Sequence, residues 1–362
     1  MSISIVLVGI GGMGAVYVRE LLEKRDDSIF TIAGAVDPMP ERCPQLAELQ
    51  ALGVALSPDL VDFYRDRRAD LAVVASPHQF HCGQTCLALE SGSNVLCEKP
   101  AAGTIQEVRR MIAAESISKR RFVAVGYQWS FSRAIQNLKS DIIAGRFGAP
   151  RRMKCLSLWP RDNAYYRRND WAGKKRDAAG GWILDGPAQN AMSHDLHNMF
   201  YLLGRDMESS AAPAEVEAEL YRAYPIENYD TAAMRARTDD GVEILLYATH
   251  VPMKEKGPVV RFEFEKGTVY CTSRTSGISA EFRDGTRKDY GLPDAEPMGK
   301  LWQAVECAKT GGRPVCGIAA AASQTLCING MQDSMPEIVD FLPELRRRLD
   351  GQSGRGACWE RG

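Results

Sequence analysis

The chain lacks long apolar runs, paired-cysteine motifs and an excess of charge of either sign. No apolar stretch reaches the roughly 18 residues of a membrane-spanning helix, and the Ile3–Ile10 run is too short for a secretory signal core. The ten cysteines are scattered, and none is spaced Cys-x-x-Cys. We therefore expect no disulfide framework and no membrane segment, and a soluble protein of the reducing cytoplasm.

Charge is almost balanced, with 45 Lys and Arg against 46 Asp and Glu and a formal net charge of -1. Such a chain has no overall field to attract nucleic acid or an anionic membrane, so neither is expected as a partner. One local basic cluster is interleaved with aromatic residues, a composition that would also suit a phosphate backbone. It contains Arg161, Tyr165, Tyr166, Arg167, Arg168, Trp171, Lys174, Lys175 and Arg176.

The first 126 residues alternate short β-branched runs with amphipathic stretches, a pattern typical of a doubly wound parallel sheet with crossover helices. The predicted strands are Ser4–Val8, Phe30–Val36, Leu71–Ala75, Asn94–Cys97 and Phe122–Gly126. The predicted helices are Ala15–Glu23, Glu41–Leu52, Phe80–Ser91 and Thr104–Ser118. We assign residues 1–126 to a Rossmann-type domain of an α/β protein.

After residue 126 the strand candidates become long and alternating, and turns such as Asp239-Asp240-Gly241 and Asp284-Gly285 separate them, which predicts a mostly antiparallel sheet. The strands are Arg152–Trp159, Val216–Ala223, Thr231–Thr238, Val242–Thr249, Val259–Glu265 and Thr268–Cys271, and the late helices are Lys300–Lys309, Ala319–Met331 and Pro336–Arg347. Residues 127–362 therefore form a second, α+β domain, whose last helices can pack back on the first. At 362 residues the chain is long enough for two domains.

Three glycines follow the first strand in the spacing Gly9-x-Gly11-x-x-Gly14, directly before the first helix. This is the position of the dinucleotide fingerprint, in which a tight turn brings pyrophosphate to the unpaired amides of the helix N-terminus. An acidic residue, Asp37, ends the second strand, where a carboxylate accepts hydrogen bonds from ribose hydroxyls and repels a 2′-phosphate. The pattern predicts a dinucleotide, NAD rather than NADP; the alternative is that Asp37-Pro38 only opens a turn.

Two further polar segments follow parallel strands. Ser76-Pro77-His78 comes after the Leu71 strand, and Glu98-Lys99-Pro100 comes after the Asn94 strand, so both lie at the carboxyl edge of the sheet. Together with the glycine turn, Asp37 and a later helix containing His194, these motifs resemble the glucose-fructose oxidoreductase / inositol dehydrogenase / rhizopine-catabolism (Gfo/Idh/MocA) family. The likeness covers nearly the whole chain, and Glu-Lys-Pro is its most specific element.

The resemblance implies a large open sheet in the second domain, a homo-oligomer (dimer or tetramer) formed through that sheet, and substrate held between the sheet and the nicotinamide. It gives Lys99 contacts to the substrate hydroxyl and the cofactor ribose, and a cation there would stabilise a developing alkoxide. It makes His194 the catalytic base and places Asn190 where an aspartate is usual. We expect Asn190 and His194 to share one helical face, with Asp185 as a substitute carboxylate. The alternatives are a solvated Lys99 and a structural His194.

The remaining site residues are predicted from their positions in the sequence, next to the motifs described above. Besides the three fingerprint glycines and Asp37, the predicted cofactor contacts are Ile10, Gly12, Met13, Ser76, Pro77, His78, His81, Glu98, Lys99 and Gln128. The segment 158–177 is too long, aromatic and charged for an idle connection; it binds sugar hydroxyls or a carboxylate, or forms an oligomer contact. The predicted substrate contacts are Lys99, Trp159, Arg161, Tyr166, Arg168, Trp171, Asn190, His194 and His197.

His78, His81, Cys82 and Cys86 lie close together in the sequence and could suggest a zinc site. A helix with a buried stripe explains them better, and we predict no metal.

The leading hypothesis for the function is an NAD-dependent oxidoreductase acting on a hydroxyl or carbonyl of a sugar, cyclitol or sugar acid. The alternatives are a glycosidase or lyase that retains its NAD and oxidises sugar transiently, and a regulator that senses the dinucleotide without catalysis. Asn190 in place of aspartate keeps the last alternative open.

Overall fold

The computed structural model of the chain describes residues 2–118, 120–348 and 359–360. Two compact units are present. The first unit contains the residues up to Phe131 together with Pro297–Ala322. The second unit contains Ser132–Glu296 and the residues from Ser323 onward.

The first unit is built on a parallel sheet in the strand order β3-β2-β1-β4-β5-β6. Its strands are β1 (Ile3–Val8), β2 (Phe30–Val36), β3 (Ala55–Ser57), β4 (Leu71–Val74), β5 (Asn94–Cys97) and β6 (Val123–Val125). Its helices are α1 (Met13–Glu23), α2 (Leu46–Ala51), α3 (Leu60–Asp66), α4 (His81–Glu90), α5 (Ile105–Ile117) and, from the later segment, α9 (Gly299–Thr310). Three-residue or four-residue 3₁₀ turns occupy Pro40–Arg42, His78–Phe80 and Gln128–Phe131.

Strands β4, β5 and β6 of this sheet are buried along their whole length, as expected when helices cover both faces. Helix α5 begins at a capping box, in which the Thr104 hydroxyl accepts from the Glu107 amide and the Glu107 carboxylate accepts from the Thr104 amide. Because β1, β2, β4 and β5 pair in parallel, their carboxyl ends lie along one edge of the sheet.

The second unit contains a larger sheet in the order β14-β13-β12-β11-β7-β10-β9-β8-β15. Its strands are β7 (Pro150–Leu158), β8 (Pro213–Arg222), β9 (Thr231–Thr238), β10 (Glu243–Thr249), β11 (Lys256–Phe264), β12 (Gly267–Cys271), β13 (Ile278–Phe282), β14 (Arg287–Gly291) and β15 (Val339–Asp340). Its helices are α6 (Arg133–Ile143), α7 (Asn163–Arg167) and α8 (Ser193–Leu202); α10 (Ile318–Ser334) carries the chain from the first unit into the second. A 3₁₀ turn (Pro343–Leu345) and the pair β16 (Arg347–Arg348) and β17 (Trp359–Glu360) follow.

This sheet is mostly antiparallel, with parallel pairing only of β7 with β10 and of β8 with β15 among the described strands. Burial alternates along β9 and β10, so one face packs on the core and the other is open. On β10 the core face carries Ile244, Leu246 and Ala248, and Tyr247 lies on the open face. The predicted turns at Asp239–Gly241 and at Asp284-Gly285 are confirmed, since they join β9 to β10 and β13 to β14.

Several predicted elements are wrong or were missed. The predicted helix Pro336–Arg347 is replaced by β15 and a 3₁₀ turn, because Pro343 cannot lie in a helix interior and Val339–Asp340 pairs with β8. The predicted helix Glu41–Leu52 is broken, and only Leu46–Ala51 is α-helical. Elements absent from the prediction are β3, α3, α6, α7, β13, β14 and the short late pairs. In the described part of the chain, none of the helices has the length and apolar character needed to cross a bilayer.

Candidate active site

The turn between β1 and α1 tolerates only glycine at two of its positions. Gly9 has φ +80°, and a Cβ there would lie 2.7 Å from the Ser76 amide nitrogen. A Cβ on Gly14 would lie 1.8 Å from the Gly9 carbonyl oxygen. The first glycine therefore makes the turn against the loop after β4, and the last lets α1 pack on β1.

The N-terminus of α1 is open toward an anion. Gly12 is the N-cap residue of a helix whose first turn carries no acidic residue, and no described side chain caps it. A Cβ on Gly11 would meet only the Arg42 Cβ at 3.7 Å, so a ligand can approach the backbone there. Unpaired amides with the positive end of the helix dipole suit a pyrophosphate. Within the same stretch, Ile10 is fully buried and Met13 is exposed.

Asp37 is held at the end of β2 by two backbone amides. Its Oδ2 accepts from the Ile10 amide at 2.9 Å, and its Oδ1 accepts from the Met39 amide at 2.9 Å. A carboxylate has lone pairs for further donors, and Asp37 is only partly buried. The Asp37 side chain is thus fixed beside the glycine turn and can still accept hydrogen bonds from ribose hydroxyls. The residues at this turn therefore fit a bound dinucleotide.

His81 joins the loops that follow β4 and β5. Its ring nitrogens lie 2.9 Å from the carbonyl oxygens of Pro100 and Ser76, and its side chain is buried. Burial lowers the pKa of His81 to about 4, so the ring is neutral at physiological pH. Because protein carbonyls face both nitrogens, His81 positions the loops, and we do not retain it among the residues that contact a cofactor.

Ser76 and Cys82, on either side of the His78–His81 segment, also have protein partners. Ser76 donates from its hydroxyl to Gln84 Oε1 at 2.5 Å, and His78 is 4% exposed in the 3₁₀ turn that begins there. Cys82 contacts the Glu107 carbonyl at 3.4 Å. Across residues 2–118, 120–348 and 359–360, no cluster of three or more His, Cys, Asp or Glu side chains is arranged to hold a metal ion.

Glu98 is buried at the end of β5 and holds the backbone of Lys99. One carboxylate oxygen accepts from the Tyr17 hydroxyl at 2.5 Å and from the Lys300 ammonium, and the other accepts from the Lys99 amide at 3.0 Å. Burial alone would raise the pKa of Glu98, but the Lys300 ammonium, the Tyr17 hydroxyl and the charge of Lys99 lower it below its ordinary value. Glu98 is therefore an ionised positioning residue, enclosed by protein groups.

The sequence reasoning missed Tyr17 and Lys300. Lys300 is 1% exposed and lies with Leu301 and Ala304 on the buried face of α9. A lysine within an apolar stripe needs a buried partner, and this unused signal in the sequence would have indicated an internal carboxylate. Gln128, a predicted cofactor contact, lies half-buried in the 3₁₀ turn after β6.

In the second unit, Asn190 does not lie on the His194 helix. Helix α8 begins at Ser193. Asn190 lies in the preceding turn, where its backbone N–H donates to the Gly186 carbonyl. The expectation that Asn190 and His194 share a helical face is wrong, because the segment 186–192 forms successive turns before α8. His194 is half-buried in the first turn of α8.

Asp185 is linked directly to Asn190. Its Oδ1 accepts from Asn190 Nδ2 at 3.0 Å, and its Oδ2 accepts from the Gly173 amide at 2.7 Å. The side chain is 2% exposed. The buried Asp185 carboxylate therefore accepts a hydrogen bond from the Asn190 side-chain amide and orients it.

His197 is a core residue of α8. It is 1% exposed, and its ring stacks on Tyr201 with centroids 5.6 Å apart. Burial lowers the pKa of His197 to about 3, and the neighbouring Lys139 ammonium acts in the same direction. The predicted contact of His197 with substrate is not retained, because its ring packs inside the second unit.

The segment after β7 forms a row of arginines and aromatic rings. Arg161 lies over Trp159 at 3.9 Å, and Arg168 lies over Tyr165 at 3.6 Å and Trp171 at 5.0 Å. Tyr166 lies beneath this row, 9% exposed, with its hydroxyl 2.9 Å from His250 Nδ1. Tyr166 therefore belongs to the core, whereas Arg161 and Arg168 lie on the aromatic rings and donate to the backbone carbonyls of Pro160 and Tyr165.

Fold and site together define a dinucleotide-binding α/β protein with a second, open-sheet domain. Residues 3–127 match the model of the oxidoreductase family with an NAD-binding Rossmann fold, and residues 135–270 match the GFO/IDH/MocA C-terminal domain. The chain belongs to the Gfo/Idh/MocA oxidoreductase family, and the predicted family, fold and NAD cofactor are confirmed.

Two curated relatives are inositol 2-dehydrogenases. The chain is 32% identical to inositol 2-dehydrogenase 1 of Saccharopolyspora erythraea over 156 residues, 43% of this chain and 46% of that protein. It is 25% identical to the Klebsiella pneumoniae enzyme over 209 residues, 58% of this chain and 57% of that protein. The matched region thus spans about half the length of these relatives.

Solved structures show the same fold over nearly the whole chain. The WlbA dehydrogenase of Bordetella pertussis, in complex with NADH and UDP-GlcNAcA, superposes with a TM-score of 0.75 at 22% identity, covering 93% of this chain and 97% of that one. The myo-inositol 2-dehydrogenase of Lactobacillus plantarum gives 0.72 at 16% identity, covering 93% and 98%. At these identities the likeness concerns the fold alone.

Proposed function

We propose that the chain is an NAD-dependent dehydrogenase that transfers a hydride between nicotinamide and a hydroxyl or carbonyl carbon of a sugar, cyclitol or sugar acid. The observation that carries the proposal is the position of Lys99, directly after a buried carboxylate that fixes its backbone at the edge of the sheet where the glycine turn and Asp37 lie. The first unit binds the dinucleotide, and the second supplies substrate contacts.

Each side chain has a distinct role in the oxidation. The bound dinucleotide supplies the hydride acceptor. The Lys99 ammonium stabilises the alkoxide as the hydroxyl loses its proton, because a cation next to developing negative charge lowers the barrier. His194 accepts that proton as general base. The products are a carbonyl compound, NADH and one proton.

Asn190 and Asp185 are proposed to position the groups around the general base His194. Asparagine orients a ring or a substrate hydroxyl without adding charge, whereas the aspartate usual at this position would favour an imidazolium. The hydrogen bond from Asn190 to buried Asp185 fixes the direction of the amide. Turnover is accordingly expected to rise with pH through one ionisation in the oxidative direction.

The names of related proteins support this class of substrate. The relatives matched by sequence are inositol 2-dehydrogenases, and one structural neighbour was solved with NADH and a nucleotide sugar acid. The cofactor is NAD rather than NADP, because the Asp37 carboxylate would repel a 2′-phosphate. In the described part of the chain the cysteines form no disulfide, which supports the proposed cytoplasmic setting.

The open face of the large sheet is proposed as the contact between two copies of the chain. A groove of about 760 Å³ lies on β8, β9 and β10 and is bordered by Phe341, Leu345 and Arg346. Tyr247 and Met253, which line it, are 47% and 43% exposed. Exposed apolar surface of this extent favours a protein partner, and a second copy presents the same sheet face.

A substrate screen tests the catalytic proposal. The purified protein is mixed with NAD and, one at a time, with polyols, neutral sugars, inositols and sugar acids, and NADH absorbance is followed. At least one compound is expected to reduce NAD at a rate proportional to protein concentration. Failure of the whole panel with protein that binds NAD would refute the dehydrogenase assignment.

A further inference from the structure

We propose that the arginine row after β7 is an anion subsite, so that the substrate carries a carboxylate or a phosphate. The row consists of the guanidinium groups of Arg161, Arg168 and Arg274 with the rings of Trp159, Tyr165 and Trp171. This inference rests on the proposed dehydrogenase function and specifies its substrate class.

Stacking fixes the orientation of the three guanidinium groups. Trp159 has Arg161 at 3.9 Å and Arg274 at 4.5 Å from its ring centroid. Arg161 is also 4.9 Å from the Tyr165 ring, which Arg168 covers at 3.6 Å. A guanidinium held by its face against an aromatic ring presents its N–H groups edgewise to an acid group. Arg161 Nη1 donates to the Pro160 carbonyl at 3.1 Å and Arg168 Nη1 donates to the Tyr165 carbonyl at 2.5 Å, and the proposed acid group takes the remaining N–H groups.

Two of the three guanidinium groups of the row carry charge that no described carboxylate neutralises. Among the described residues, neither Arg161 nor Arg168 has a carboxylate within ion-pair distance, and Arg274 reaches Asp294 only at 3.9 Å. Other arginines of the same unit are closely paired, such as Arg261 with Glu263 at 2.8 Å. The nearby carboxylate of Asp185 is buried and accepts from the Gly173 amide and from Asn190.

The surroundings respond to this unbalanced charge. Burial holds the pKa of His250 well below its ordinary value, and the charges of Arg161 and Arg168 lower it further. The Nε of Arg161 is buried, with no hydrogen-bond acceptor in the part of the chain that the structure describes. A buried donor without a partner is destabilising, and an acceptor oxygen of an anionic ligand would supply that partner.

The row adjoins the first turn of α8, where His194 lies. The Ser157 hydroxyl of β7 donates to Asp195 Oδ2 at 2.5 Å, so this end of α8 is tied to the strand that leads into Trp159. Met192, which precedes α8, lines one small cleft with Trp159 and Arg274. An acid group held by the row therefore keeps the rest of a sugar next to the proposed base.

Binding measurements test the subsite independently of turnover. The anionic probes are D-glucuronate, glucose 1-phosphate and UDP-glucuronate, and the neutral probes are D-glucose and myo-inositol. Calorimetry on the NADH-loaded protein is expected to show at least one anionic probe binding about 10-fold more weakly to Arg161→Gln and to Arg168→Gln. Arg261→Gln, which removes a stacked and paired arginine from the same unit, is expected to leave that affinity unchanged.

The probes separate three chemical sources of the anion. Preference for D-glucuronate indicates a carboxylate, preference for glucose 1-phosphate a phosphate monoester, and preference for UDP-glucuronate a nucleotide sugar. The subsite is overturned if no anionic probe binds in an arginine-dependent way. It is also overturned if light scattering shows that the two variants alter the oligomer while anion affinity stays native.

The subsite and the dehydrogenase proposal fail in different ways. Arginine-dependent binding without NADH formation from any compound would retain the subsite and remove the catalytic proposal. NADH formation with equal kcat/KM for glucose and glucuronate, unchanged in Arg161→Gln and Arg168→Gln, would retain the catalytic proposal and remove the subsite.

Discussion

At the scale of single residues, Lys99 depends on groups that are far away in sequence. Glu98 bonds the Lys99 amide and is kept ionised by Lys300 and Tyr17, which lie on α9 and α1. A buried carboxylate that loses its cation would be protonated or would expel its neighbours. The motif Glu-Lys-Pro is therefore one part of a larger buried network.

Replacing Lys99 tests its role in the chemical step. Lys99→Met is expected to lower kcat by roughly 10² to 10⁴ and to leave NAD affinity near native, because the cation acts on the developing alkoxide. Steady-state kinetics and NAD titration measure the two effects separately. Lys309→Met, at an exposed position of α9, is the control and should behave as wild type. Native kcat in Lys99→Met would exclude Lys99 from the mechanism.

The charge of Asp37 is expected to select NAD. Asp37→Asn keeps an oxygen that can accept from the Ile10 or Met39 amide but removes the charge, so the ratio of NADP affinity to NAD affinity should rise about 10-fold or more. Fluorescence titration with NADH and NADPH measures both affinities. A wild-type protein that prefers NADPH would contradict the assignment of Asp37 to the ribose.

At the scale of elements, α8 carries both a proposed site residue and part of the core. His194 lies half-buried in its first turn, whereas His197 lies one turn later against Tyr201. Asp195, between them, is buried and hydrogen-bonded to Ser157, and burial raises its pKa to about 6. Side chains at neighbouring positions of α8 thus have different roles because they lie in different environments.

Burial of neutral His197 makes the stability of the second unit depend on pH. Its folded pKa of about 3 lies below the unfolded value near 6.5, so the unfolded chain binds more protons and stability falls as pH drops below about 6.5. His197→Phe lacks this dependence. The free energy of unfolding of wild type minus that of the variant should therefore be larger at pH 7 than at pH 4, by about 3 kcal/mol at most.

Urea titrations at both pH values measure that difference. Asp195 and Asp230, whose pKa values burial raises to about 6, titrate with the opposite sign. They are present in both proteins and cancel in the comparison. A difference that does not change with pH would mean that folding does not lower the pKa of His197, so that its ring is protonated in the folded state at pH 4.

The sequence predicts regular elements well and short or tertiary-determined ones poorly. Strands β2, β5 and β9 have the predicted bounds, because their apolar runs and alternation are local signals. Strand β3 has only three residues, too few for a pattern, and β15 forms because β8 offers an edge. The glycine turn was predictable from spacing, but the Glu98–Lys300 pair and the Asn190–Asp185 bond depend on tertiary contacts.

At the scale of the whole molecule, the open sheet is expected to decide the oligomeric state. Tyr247 lies at the centre of the exposed face of β10, so Tyr247→Glu should weaken self-association by placing a charge in the contact. Multi-angle light scattering measures the mass over a range of protein concentration. Leu292→Glu, at an exposed position beyond β14, is the control. Equal masses for Tyr247→Glu and wild type would place the contact elsewhere.

The balance between NADH formed and substrate consumed tests the central claim most directly. A dehydrogenase forms one NADH for each molecule of sugar or cyclitol oxidised, whereas an enzyme that recycles its NAD consumes substrate without net NADH, and a sensor consumes none. Chromatography of the substrate with parallel NADH absorbance, on the most active compound of the screen, gives this ratio. We predict a ratio of about one at every time point; substrate loss without accumulating NADH would contradict the account.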